Sequence, residues 1–244
     1  MSVVWYSKNL GVLTPKEQKL LFKKKILVCG GGGIGGIIIE LLLRAGVSNL
    51  ALIDFDKFEL TNLNRQIHSC ISNLGLYKVD VIKKHSKSIN PKINFLSFKK
   101  KLDLNSFSFY KEKIKSFKPD LIIDSFDNAA SRMLIYRIAK DFNIPYLYAA
   151  CAKARGLISI FLKNSNMEKT FNLPSYKANI KKAYQMLLVY PPCPAAWGPI
   201  TNLIGCLATN AALNFLLKKE GFVIAPYYWV IEPKEKEIVT IAKF

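Results

Sequence analysis

Residues 30–36 read Gly-Gly-Gly-Gly-Ile-Gly-Gly, and no other feature of the chain restricts its fold as much. Glycine loses more conformational freedom on folding than any other residue, so such a run marks a place where backbone turns sharply and something approaches it closely. It follows Lys25–Cys29, an apolar run with strand character, and precedes the almost wholly apolar Ile37–Leu43, which reads as a buried helix closed by Gly46. Asn49–Phe55 reads as a second strand. Strand, glycine turn, helix, strand is a βαβ unit, and that unit implies a parallel sheet.

The alternation continues. Upstream, Thr14-Pro15-Lys16-Glu17 is a capping box with proline at the first helical position, so a short helix runs to about Phe22. Downstream, helices are expected at Leu76–Ile89, Phe107–Phe117 and Ala129–Phe142, with strands at Ile93–Phe98, Leu121–Asp124 and Tyr146–Ala149. Residues 1–150 thus form the nucleotide-binding half of a doubly wound, Rossmann-like α/β fold. The second half, 151–244, changes character. Gly156–Leu162 reads as a strand, and the polar Lys163–Pro194 as a long exposed crossover segment. A helix follows at about Thr201–Leu217, then a hairpin of Tyr227–Glu232 and Glu237–Ala242. The expected fold is one domain, 1–244, whose mostly parallel sheet is extended by antiparallel C-terminal strands.

Composition narrows the function classes. The formal charge is +19, but the lysines are scattered at element ends and on polar faces, so no nucleic-acid partner is indicated. Five cysteines in odd number, with no C-x-x-C pair, point to a reducing cytoplasmic setting and against a four-cysteine metal site. His68 and His85 are separated in sequence and read as no metal site; no zinc is expected. Ala195–Leu217 holds no charged residue and is long enough to span a bilayer. Asn202, Asn210 and Asn214 nevertheless give it a polar stripe, so it reads as a buried amphipathic helix, with no membrane partner.

The site is read from four places. Gly30, Gly32 and Gly35 form G-x-G-x-x-G between a strand and a helix, where backbone N–H groups and the helix N-terminus favour a phosphate. Asp54, at the end of the second strand, suits a ribose hydroxyl and does not choose between NAD and ATP. The choice comes from Asn62, Arg65, Gln66 and Lys78. Arg65 can clamp two oxygens and Lys78 can act as a point charge, with Asn62 and Gln66 hydrogen-bonding the remainder, which suits a triphosphate better than a dinucleotide. Finally Asp124-Ser125-Phe126-Asp127-Asn128 lies at the carboxyl end of a later strand, where a carboxylate facing a triphosphate can hold Mg²⁺. Asp124, nearer the buried strand, is the lesser metal candidate.

Taken together these segments resemble the ubiquitin-activating-like superfamily of ThiF, MoeB and HesA. That family carries a glycine loop, D-x-D, S-N-L-x-R-Q, G-x-x-K, N-P and D-x-x-D-N in order. Here the matching runs are Gly30–Gly35, Asp54-Phe55-Asp56, Thr61-Asn62-Leu63-Asn64-Arg65-Gln66, Gly75-Leu76-Tyr77-Lys78, Asn90-Pro91 and Asp124–Asn128, followed by Arg132. The resemblance spans about residues 8–240. It implies an ATP- and Mg²⁺-dependent adenylyltransferase, whose acyl group is the C-terminal carboxylate of a small carrier protein or a peptide. Arg65 and Lys78 would stabilise the polyphosphate and Asp127 the metal. Asp54 would hold the ribose, and Gly33 and Asn128 would contact the nucleotide. Asp56 and Thr61, within the matched motifs, join the nucleotide-binding set. The resemblance also implies a homodimer or a heterodimer with a related subunit.

Three departures stand out. The phosphate-reaching arginine that many members supply from a partner's N-terminal segment is absent. Lys8 stands near its place, and the first arginine, Arg44, falls inside the buried helix. The family's zinc cysteine pairs are missing. Cys193, between prolines, is the best-placed cysteine for thioester or sulfur transfer. The competing readings are an NAD(P)-dependent oxidoreductase, which leaves Arg65, Lys78 and Asp127 without a task, and a non-catalytic carrier-binding subunit.

Overall fold

The computed structural model describes residues 3–191, 196–233 and 237–244. After a 3-10 segment at Val3–Asn9, the elements in chain order are α1 (Pro15–Lys23), β1 (Lys25–Cys29), α2 (Gly33–Arg44), β2 (Asn49–Ile53), α3 (Lys78–Ile89), β3 (Asn94–Phe98), α4 (Phe107–Phe117), β4 (Leu121–Asp124), α5 (Ala129–Asp141), β5 (Tyr146–Ala152), β6 (Arg155–Phe161), α6 (Met167–Thr170), α7 (Ile180–Leu188), α8 (Gly198–Leu217), β7 (Tyr227–Ile231) and β8 (Val239–Lys243). All eight strands join one sheet, in the order β3-β2-β1-β4-β5-β6-β7-β8. β1 to β5 run parallel, and β6, β7 and β8 add on antiparallel.

The central strands are apolar at nearly every position because both faces are covered. Ile26 and Val28 of β1 join a core built with α2, α3 and α8, whereas Leu27 and Cys29 join one built with α4, α5 and α7. Successive side chains of one strand thus supply both cores. The capping box at Thr14 forms as the sequence predicts. α8 has the length and apolar character of a bilayer span. Here it lies against α2, β5 and β6, with Ile200, Ile204, Ala208 and Ala212 buried.

Three sequence expectations need correction. The second strand ends at Ile53, because both oxygens of the Asp54 carboxylate accept backbone N–H groups and draw the chain out of the sheet. Arg44 is not buried: at the last turn of α2 its side chain is 58% exposed and its Nε donates to Glu40 at 2.6 Å. The described part of the 163–194 crossover is ordered rather than a plain exposed segment. Asn166 and Asn179 cap α6 and α7, and Met167, Ala183 and Leu187 are buried against the core that contains α5. Arg137 of α5 reaches across to Glu168 with two nitrogens, at 3.0 and 2.9 Å, and also donates to the Ser175 carbonyl. Cys193 and the hairpin turn at Lys234–Lys236 lie outside the described residues.

Candidate functional site

The parallel strand order reverses at β1, which pairs β2 on one side and β4 on the other. Loops leaving the two strands diverge there and open a crevice at the carboxyl edge of the sheet, the usual ligand position in open α/β folds. The glycine turn forms one wall. Gly30 sits at φ +92°, a conformation side chains disfavour. A Cβ on Gly35 would lie 1.8 Å from the Gly30 carbonyl oxygen, so only glycine lets α2 start this close to β1. The N-terminus of α2 therefore points its free N–H groups into the crevice. The cleft is open to solvent at its mouth and is lined by polar and apolar groups alike.

Asp54 is buried and organises the turn. One oxygen accepts from Gly31 N at 2.7 Å and the other from Asp56 N at 2.8 Å. Burial pushes its carboxyl above the usual value, and the nearby Lys78 acts against that. Lys78 is itself buried and donates to Asp56 Oδ2 at 2.9 Å, so its ammonium is held at the cleft wall. Arg65 Nη1 donates to the Thr61 carbonyl and to Asn64 Oδ1, each at 2.9 Å. Gln66 Oε1 is buried and lacks a hydrogen-bond partner, as does Asn202 Oδ1.

The opposite wall comes from the turn after β4. Asp124 is fully buried; it accepts from Arg132 Nη1 at 3.0 Å, from Phe126 N and from the Tyr146 hydroxyl. Burial raises its carboxyl, and Arg132 and Tyr146 oppose the rise. Asp127, three residues on, is exposed at the mouth, and among the described residues its Oδ1 accepts from the Asn128 amide, at 3.3 Å. Asp54 and Asp124 are engaged by backbone or arginine, and Asp56 by Lys78. Asp127 is thus the cleft carboxylate that no described cation neutralises. Its oxygen donors fit a hard cation such as Mg²⁺.

The cleft brings together Gly30, Gly32, Gly33, Asp54, Asp56, Arg65, Gln66, Lys78, Asp127 and Asn128. Three predicted ligands do not line it. Gly35 is spent on helix–strand packing, and Thr61 offers its carbonyl to Arg65. Asn62 turns its Oδ1 to Glu59 N at 3.1 Å, capping a 3-10 turn. Ser125 was missed by motif reading: its hydroxyl spans Cys29 O at 2.8 Å and Gly30 O at 3.0 Å, stapling the glycine turn to β4. A short polar residue directly after a strand-end aspartate was the available signal. Phe55, Phe126 and Thr201 also line the cleft, as do Arg132 and Cys151. Lys8 is not at this cleft. Its neighbour Asn9 is tied to Gln18 and to the Ala45 carbonyl, at the far end of α2, about 18 Å of helix from the glycine turn.

His68 and His85 correct another expectation. Their rings lie 4.9 Å apart, because the loop after β2 folds back over α2 and α3. Burial lowers the His68 pKa, and His85 beside it acts in the same sense.

The ThiF family matches residues 6–243. The chain belongs to that family. Among ThiF-family proteins and their relatives, the molybdopterin-synthase adenylyltransferase of Haemophilus influenzae is 30% identical over 203 residues, 82% of this chain and 78% of that one. The adenylyltransferase and sulfurtransferase UBA4 of Meyerozyma guilliermondii is 30% identical over 223 residues, 88% of this chain but 47% of its own length. The fold matches the crystal structure of E. coli MccB with ATP at a TM-score of 0.78, with 21% identity, over 98% of this chain and 71% of that one.

Proposed function

We propose that this ThiF-family chain is an ATP-dependent adenylyltransferase that activates the C-terminal carboxylate of a small ubiquitin-like or sulfur-carrier protein, or of a peptide. The observation that carries the reading is the convergence of Lys78, Arg65 and the α2 N-terminus on one wall of a cleft, with the unneutralised Asp127 across from them. Its named relatives are adenylyltransferases.

The carboxylate oxygen attacks the α-phosphorus. An acyl O–P bond forms, and the bond to the pyrophosphate oxygen breaks. The glycine-turn N–H groups and Lys78 hold the polyphosphate, and Arg65 exchanges its two local acceptors for phosphate oxygens. The work is positioning and charge neutralisation rather than covalent catalysis. Asp127, with Asn128 beside it, would hold Mg²⁺, which supplies charge neutralisation when bound. A second cleft, lined by Arg155, Tyr190, Tyr228 and Val230, shares Asp127, Arg132 and Cys151 with the first, and gives the acyl chain its approach. Lys8, remote from its own cleft, acts only by reaching the cleft of a second subunit in a homodimer or a related heterodimer. The free cysteines Cys29, Cys70, Cys151 and Cys206 favour a cytoplasmic setting.

Thermal stabilisation by MgATP and by NAD(H) tests the nucleotide. MgATP at about 100 times its Kd should raise Tm by about 5–10 °C, and Asp127→Ala should lose most of that rise while melting like wild type without ligand. A rise with NAD(H) alone sinks the reading. Carrier-dependent ATP–pyrophosphate exchange then identifies the carboxylate.

A further inference from the structure

Behind the glycine turn, outside the nucleotide cleft, three side chains from three parts of the chain meet. They are Glu40 of α2, His68 of the loop after β2 and His85 of α3. One ligand atom of each lies within 4.8 Å of the other two, and His85 Nε2 is 2.7 Å from Glu40 Oε2. We propose that Glu40, His68 and His85 form a site for one divalent cation of the zinc class, with water in the fourth position.

The donor set is right for such an ion: two imidazoles and one carboxylate, with no thiolate. Ligands about 2.0–2.2 Å from a tetrahedral centre stand some 3.4 Å apart, so only small side-chain rotations separate the present arrangement from a closed shell. The supporting contacts are already made. His68 Nε2 is 3.2 Å from the Gly36 carbonyl; donating there fixes the tautomer and leaves the Nδ1 lone pair for the ion. A Cβ on Gly36 would come 3.3 Å from His68 Cδ2, so glycine leaves room for the ring. The other oxygen of Glu40 accepts from Arg44 Nε at 2.6 Å, which orients the carboxylate. The His85 side chain is 39% exposed, and provides the entry path and the open position. A bound cation would tie α2, α3 and the loop that carries Arg65 and Gln66 into one unit, two residues from the nucleotide cleft. It would be separate from Asp127.

The test uses the full chain, stripped with chelator and titrated with Zn²⁺ alone, and with Co²⁺ as spectroscopic probe. One equivalent of Zn²⁺ should bind and raise Tm. Losing a group that only orients a ligand already costs about 10–100-fold in metal affinity, so Glu40→Gln and His85→Gln should each lose at least that. Asp127→Ala should bind Zn²⁺ like wild type. Bound Co²⁺ should show visible d–d bands without a thiolate charge-transfer band. Both variants alter part-exposed groups, and an unchanged metal-free melt shows that they fold. Zn²⁺ binding that survives both variants, a cobalt–thiolate band, or no binding above that of the variants overturns the site.

Discussion

The loop after β2 and the segment after β6 are both long excursions from the sheet with several asparagines, yet they are held in different ways. In the first, residues 54–77, most polar side chains grip their own neighbourhood. Asp54 takes Asp56 N, Asn62 takes Glu59 N, and Asn73 takes Cys70 N and gives to the His68 carbonyl. In the second, residues 163–191, caps at Asn166 and Asn179 start the short helices, but a distant helix holds them in place. Arg137 of α5 pairs with Glu168, the Tyr136 hydroxyl accepts from Met167 N, and Leu187 is buried in the core that α5 shares. A loop that caps its own turns can be tuned for chemistry with little effect on the rest of the fold. A segment that hangs on a remote ion pair is part of the protein's stability.

That difference predicts opposite consequences for two arginines. Arg137→Met leaves Glu168, whose side chain is 6% exposed, with an uncompensated charge. The expected cost is about 3–5 kcal/mol of unfolding free energy in denaturant melts. MgATP affinity measured well below the melting transition should stay unchanged. Arg65→Ala should do the reverse. It should slow adenylation by about 10²–10³-fold, the scale of losing one positioned charge at a reacting phosphate. The melt should stay within about 0.5 kcal/mol, because the side chain holds only local, solvent-facing acceptors. An Arg65 variant that unfolds, or an Arg137 variant that melts like wild type, breaks the comparison.

The same contrast explains what could be read without coordinates. The first half was legible because strand and helix signals, the glycine turn and the strand-end aspartates act over short spans. β1 and β4 have the expected bounds, Lys25–Cys29 and Leu121–Asp124. That Gly30, Asp54, Arg65 and Lys78 share one cleft was legible. That Asn62 lies outside the lining and caps its own turn was not. Nor was the task of Ser125, which depends on β1 lying beside β4. α6 is too short, at four residues, to show a period. α7 does carry one, with Ile180, Ala183, Tyr184 and Leu187 on one face behind the Asn179 cap, but the polar composition of Lys163–Pro194 around it hid the signal. The meeting of His68 and His85 is tertiary, since neither α3 nor the loop alone brings the rings together.

The smallest effect lies at Glu17, which has both kinds of contact at once. It caps its own turn, accepting from Thr14 N at 2.6 Å and from the Thr14 hydroxyl at 2.9 Å, and it reaches Lys219 of the second half at 3.0 Å. The backbone bond from Thr14, then Lys219, pull its carboxyl down to about 2. A carboxyl lowered in the folded state adds stability that is present above its unfolded value, near 4.5, and is lost as pH falls toward 2. Urea melts between pH 5 and pH 2.5 should therefore show a loss on acidification that Glu17→Gln makes shallower. Because the local bond dominates, Lys219→Met should remove less of that slope than Glu17→Gln does. Equal losses would mean that the remote lysine, not the helix's own first turn, holds the carboxylate, and that even this cap belongs with the distant contacts of the second half.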